Sequence, residues 1–445
     1  MSVDAREPVI DLGTLAGDAP DDDAYPRPTW RSLLRPDRRV LAALVAAVCL
    51  LTVGASARVA PPRLRPVAVL DYQQNGTFDL TADSAYVVVG GERPTLSAYR
   101  LADGARRWSV PLEWPSAGVN ARPEAGVVLV AGGDRVTIAL DTATGAERWR
   151  QPGLLGALVG PAVVLADYSD ADGTLTALRS VRLSDGAAVW QRPVRADDGW
   201  TIAADRVAGL PGRRDDARAT RIVTVQSDGT ITVLSLADGS VVTQGRVAWR
   251  AQSTRDTGFT EVNANGDALH VALHEPAGIT LHAYDVDTLR PLWTRAGVPP
   301  GGPFACGAVL CMNDDTQIVA YDRATGEPRW RRPFLLHADP VAPGRLLASD
   351  GAENDSWSVL DDATGALVAS LNVGTPVSGD PLLFVRSVRE PRGHDSVSQL
   401  DPVTGRLHVL GSLPRFDADA CKASGTYLVC PSPSPARGLR VVSVG

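Results

Sequence analysis

The side chains able to do chemistry in this 445-residue chain are few and widely spaced. Of its five cysteines, Cys306 and Cys311 stand in ACGAVLCM, and Cys421 and Cys430 in ACKASGTYLVCP. Each pair brackets a segment short enough to form a tight hairpin, so in an oxidising compartment two local disulfides are expected. Each closes a short loop and should stabilise less than a long-loop bridge. Zinc held by all four thiolates is the competing chemistry, but the spacings do not match a zinc knuckle and the pairs lie 110 residues apart. Among six histidines, His270 and His274 share strand parity and His282 follows a turn later, so the three are candidates to meet on one sheet face. They do not form H-E-x-x-H, because His274-Glu275 is followed by Pro-Ala-Gly. The segment DYSDADG (167–173) resembles a calcium loop in composition only. With Gly173 at the sixth position, the first ligand would be Tyr168 and the twelfth Arg179, and neither fits. An acidic turn is expected there.

Other chemistries are excluded more firmly. The sequence has no G-x-S-x-G, no phosphate-binding G-x-x-x-x-G-K-[ST] and no dinucleotide fingerprint. Lys422 is the only lysine, which nearly removes Schiff-base and Ser-Lys mechanisms. The balance of 44 basic against 51 acidic residues, a net charge of −7, is unsuited to nucleic acid, which needs a basic face to displace counterions. No catalytic, cofactor-binding or metal-ligating residue is assigned, and no cofactor is expected.

The elements that must position these side chains are built on one hairpin, IALDTATGAERW (138–149). Ile138 and Leu140 alternate on a strand, Asp141, Thr142, Thr144 and Gly145 supply turn chemistry, and Trp149 returns four residues after the glycine. A single hairpin cannot bury its tryptophan, so copies are required. They occur with turn positions at 104, 145, 186, 239, 289, 326, 365 and 405, at intervals of 41, 41, 53, 50, 37, 39 and 40 residues. A period near 40 with short strands indicates a propeller. The eight motifs predict an all-β, eight-bladed β-propeller of four-stranded antiparallel blades. Seven or nine blades stay open, because TYLVC and GLRVVSV after Gly405 read as a further unit that the strand at 67–70 would complete. Two insertions, DDGWTIAADRVAGLPGRRDDAR and RVAWRAQSTRDTGFTEVNANGD, interrupt the period and belong on a face or rim, where binding loops lie.

Ahead of the repeats the composition changes twice. Residues 1–39 form an expected disordered cytoplasmic tail, acidic at Asp21, Asp22 and Asp23, then rich in arginine from Arg27 to Arg39. Residues 40–58 are expected to be a transmembrane helix. The apolar run from Val40 to Ala57 just spans a hydrocarbon core, and the preceding arginines place the N-terminus in the cytoplasm. A secretory signal cleaved after Ala55-Ser56-Ala57 and a lipidated Cys49 are the alternatives. Residues 59–66 make a proline-rich spacer, and the propeller occupies 67–445.

The A-x-D-x-x-T-G-x-x-x-W pattern, clearest at Ala139–Trp149 and Ala320–Trp330, resembles the PQQ-like propeller repeat of quinoprotein dehydrogenases and BamB-type assembly lipoproteins. Copies cover roughly residues 77–410, with Leu289 in place of one glycine and no tryptophan at Thr243, Ala369 or Val409. The resemblance implies that Trp108, Trp149, Trp190, Trp293 and Trp330 pack against glycine-bearing turns of neighbouring blades, with Gly104, Gly145, Gly186 and Gly326 as structural anchors. The quinoprotein family's adjacent cysteines are missing, and its calcium and catalytic positions have no counterpart here. The expected function is that of a single-pass, membrane-anchored, extracytoplasmic scaffold that binds an envelope protein or cell-wall component without catalysis. A quinoprotein-like enzyme or envelope hydrolase using the propeller funnel is the alternative.

Overall fold

The computed structural model describes residues 63–445, except 74–75, 92–93, 115–116, 133–134, 172, 197–198, 205–218, 251–258, 352–355 and 434–437. The tail, the expected membrane span at 40–58 and the first half of the spacer, 59–62, lie outside the described residues. Among those described, no helix is long and apolar enough to cross a membrane, and the one helical element is a short turn at Pro123–Ala125.

The repeat folds as a four-stranded antiparallel unit. Seven sheets have four strands each, and one has eight. In the eight-stranded sheet, the parallel pairing of Thr375–Asp380 with Lys422–Ser424 joins two four-stranded units. The eight expected blades thus match the number of sheets, but the unit is completed nine times. Units 1 to 8 occupy 77–111, 117–152, 154–196, 199–246, 259–298, 304–333, 337–373 and 375–414. Unit 9 takes three strands from 422–444 and its outermost strand from the other end of the chain. Leu64–Leu70 pairs antiparallel with Leu439–Val444, from Leu64↔Val444 to Leu70↔Leu439. This is the end-to-end closure that the strands beyond Gly405 imply. The closing strand starts at Leu64, inside the expected spacer.

The core is distributed between units. The second strand of each unit is apolar on both faces, as in Ser84–Val89 and Val127–Gly132, because each face meets a different neighbour. Nine hydrophobic clusters result, one at each junction of consecutive units. The ninth, containing Leu70, Val429 and Leu439 with Ala85, Val87 and Tyr99, joins unit 9 to unit 1 and closes the ring. The chain's only lysine reinforces that junction. Lys422 donates to the Phe78 carbonyl (2.7 Å) and the Asp79 carboxylate (3.3 Å), and Asp79 also accepts the Ala121 N–H of unit 2 (2.9 Å).

The motif residues make the interlock between units. Trp149 lies opposite Ala139 in the ladder, and the small alanine leaves room for the indole. The ring then covers the turn of the next unit. Its Nε1–H donates to the Leu183 carbonyl (2.8 Å), and a Cβ on Gly186 would lie 2.6 Å from the ring. Trp108, Trp190, Trp293 and Trp330 repeat the contact, donating to Thr142, Leu236, Arg323 and Asp362 over Gly145, Gly239, Gly326 and Gly365. These glycines also have φ near +70°, so turn geometry and close approach select the same residue. Gly104 packs against Ala68 instead of a tryptophan.

Gly186→Ala and Gly160→Ala separate these two demands. Both positions have positive φ (69° and 52°), but nothing lies within 4 Å of a Cβ at Gly160. Gly160→Ala is expected to cost about 1 kcal/mol and Gly186→Ala about 1–3 kcal/mol more, read from denaturant midpoints. Equal costs would contradict the interlock.

Candidate functional site

The side chains picked out by type fall into separate local structures. Both disulfides form, between Cys306 and Cys311 and between Cys421 and Cys430. Each ties the first strand of a unit to its second, in units 6 and 9, with the sulfurs buried in junction clusters. The histidines do not gather. His270 pairs with Ala283 and His282 with Val271, so His282 projects from the opposite face to His270 and His274. His274 stacks on Phe259, and His282 bonds Thr294 (3.0 Å). His270 is fully buried against Trp293, with Asn265 3.5 Å from Nδ1 and no partner for Nε2. Burial and the Arg323 charge hold its pKa down at about 3.

In the acidic segment 167–173, cations of the chain itself take up the oxygens. Arg135 donates to the Tyr168 and Ser169 carbonyls and to Asp170, and the buried Arg179 pairs with Asp167. Among the described residues, no group of three or more His, Cys, Asp or Glu side chains could hold a metal ion. The repeat carboxylates are likewise committed to their turns. Asp141 accepts the N–H groups of Ala143 and Thr144, and Arg148 holds its pKa down at about 2.

Concavities lie where the indole interlock is missing. Between units 7 and 8, Ala369 stands where a tryptophan would cover Gly405. Between units 8 and 9, Val409 is exposed, because unit 9 is closed by the two chain ends and offers no turn to cover. Between units 9 and 1, Ala68 stands over Gly104. Three cavities bordered by described residues occupy these junctions. One of about 400 Å³, lined by Val67, Leu413, Phe416 and Val442, lies between units 8 and 9. One of about 520 Å³, lined by Leu70, Tyr72, Tyr99 and Arg106, lies between units 9 and 1. The largest, about 720 Å³, lies between units 7 and 8 and is lined by Trp357, Val373, Arg386, Ser387, Asp395 and the segment 415–419. It has both apolar walls and polar groups, the combination a ligand site needs. It is the candidate binding site. Its residues belong to no sequence motif; the only signals are a tryptophan outside the repeat position and an arginine in an apolar strand, LFVRS.

The fourth junction without the indole, between units 4 and 5, is filled differently. Thr243 replaces the tryptophan and Leu289 the glycine. Leu289 keeps the left-handed turn (φ 54°) and reaches back to 3.3 Å from a Cβ built on Gly245. Sequence reasoning also missed a second set of tryptophans. Trp114, Trp200 and Trp249 pack on Gly132, Gly156 and Gly229, which lie outside the repeat turns.

Fold and repeat contacts define a PQQ-like propeller, and comparison with known proteins agrees. The family model described as outer membrane protein assembly factor BamB matches residues 65–295, and the chain belongs to this PQQ-like, BamB-like repeat family. No curated protein matches it. Among solved structures, it is similar to BamB from Moraxella catarrhalis (20% identity, 78% of this chain and 97% of that one, TM-score 0.41). It is also similar to a eukaryotic initiation factor (11%, 78% and 91%, TM-score 0.52) and to a europium-containing methanol dehydrogenase (12%, 86% and 94%, TM-score 0.40). At these identities the likeness extends no further than fold.

His270 sets a pH dependence. A folded pKa near 3, against about 6.5 for an unfolded histidine, makes its contribution full above about pH 6.5 and progressively lost as pH falls toward 3. The melting temperature is expected to fall between pH 6.5 and 4.5, above the range of the turn aspartates. His270→Gln is expected to flatten that slope while lowering stability overall. An unchanged slope would contradict the assignment.

Proposed function

We propose that this chain is a membrane-anchored, extracytoplasmic propeller that acts as a protein-binding scaffold in the bacterial cell envelope. The observation that carries the reading is the family match over residues 65–295, whose description is that of an outer-membrane assembly factor. Two further features support it. Four of the five cysteines are joined in disulfides, which persist in oxidising compartments. The sequence also places arginines before the apolar run at 40–58, and the closing strand starts only a few residues after that run. The partner is an envelope protein or a cell-wall component. Recognition falls to the rim, because the repeat side chains are used up in holding units together.

Four measurements test the reading in cells. The full chain is expected in the membrane fraction. Its propeller is expected to be cut by protease added outside, and Cys306, Cys311, Cys421 and Cys430 to resist thiol labelling until reduced. Crosslinking is expected to recover the same envelope component repeatedly. A soluble chain with four free thiols would contradict both the compartment and the scaffold role.

A further inference from the structure

Nine tryptophans lie among the described residues. Seven donate their indole N–H in hydrogen bonds, five to repeat turns, Trp200 to the Tyr168 hydroxyl and Trp249 to the Ser227 carbonyl. Trp357 is different. Its Nε1 is buried and has no partner among the described residues. The same cavity holds a second unsatisfied donor, the buried Nε of Arg386. No carboxylate pairs with that guanidinium among the described residues; its neighbour is the face of Phe384, 5.3 Å from the ring centroid. Burial pulls the Arg386 pKa below its usual value. Asp395 borders the cavity but is engaged, accepting the Ser387 hydroxyl (2.9 Å) and the Phe416 N–H (3.2 Å).

Two buried N–H donors without acceptors, one of them on a half-buried guanidinium that has no counter-ion, are costly in a folded protein unless something completes them. We propose that the cavity between units 7 and 8 binds a carboxylate, with Arg386 as its counter-ion and the Trp357 indole N–H as a second donor. Guanidinium and carboxylate match in shape, and the buried Val385 and Phe416 on the lining strengthen the pair. Charge on the cavity lining selects among oxyanions. Asp417 and Asp419 line the cavity with Arg415, and with Asp395 the carboxylates outnumber the arginines, so a singly charged carboxylate is favoured over a doubly charged phosphate. The carboxylate comes either from a small molecule or from an acidic side chain of a polypeptide. The proposal stands independently of where the chain is anchored.

The test uses the purified full chain with 15N-labelled tryptophan, following the Trp357 indole signal, assigned through Trp357→Phe. The probes are acetate, a capped tripeptide with a central glutamate, its glutamine counterpart and inorganic phosphate, all at constant ionic strength. Acetate or the glutamate peptide is expected to shift the Trp357 signal saturably and leave that of Trp149 in place. Arg386→Met is expected to weaken binding at least about tenfold. Tighter binding of the glutamate peptide than of acetate assigns the polypeptide source, and the reverse assigns a small molecule. No saturable shift, equal binding of the glutamine peptide, tighter binding of phosphate, or insensitivity to Arg386→Met would each overturn the proposal. If Arg386→Met fails to fold, Arg386→Lys replaces it, with a loss of at least several-fold expected because lysine lacks the planar fork.

Discussion

The structure depends on a tryptophan of one unit lying flat on the turn of the next. A single four-stranded sheet cannot cover both of its apolar faces. Each unit therefore exists only between two neighbours, and the chain must close on itself. The indole contributes in two ways. It buries on the order of 150–250 Å², an upper bound of roughly 4–6 kcal/mol per junction. Its N–H also fixes angle and register by bonding one particular carbonyl, three residues before the glycine. The glycine is the complementary half. A side chain there would meet the ring at under 3 Å. Trp–Gly spacing is thus a constraint between units written as a pattern within each unit.

The exceptions show what the constraint does. Five junctions keep the indole. At the junction of units 4 and 5 the large residue has changed sides, since Leu289 fills from the turn what Thr243 no longer fills from the strand. The three junctions around units 8 and 9 have no such substitute, and the described cavities lie there. Ring closure explains part of this. Unit 9 is assembled from both chain ends and has no turn to receive a ring from unit 8. Its outer strand brings Ala68 and Leu70, and no indole, to the turn of unit 1.

Most of the fold was legible in the sequence because its signal is local. Asp141, Thr144, Gly145 and Trp149 act within one hairpin, and repetition at about 40 residues multiplies the evidence. End-to-end closure was legible from strand-like residues left over after Gly405. The ninth unit was harder to count because it lacks the turn that carries the motif. Both cysteine pairs were legible because each lies within one hairpin. The histidine cluster was not, since strand parity separates His282 from His270 once the register is fixed. The candidate binding site was invisible for a similar reason. Trp357, Arg386 and the segment 415–419 come from unit 7, unit 8 and the connection after unit 8, none carries a motif, and only the packing of neighbouring units brings them to one cavity.

Hydrogen exchange of the indole protons tests the interlock most directly. In the full chain labelled with 15N-tryptophan, the Nε1 protons of Trp108, Trp149, Trp190, Trp293 and Trp330 should exchange only on global opening, with one common protection free energy. Fast or scattered exchange among these five would mean that the rings do not lock neighbouring units, and the account of the fold would be wrong.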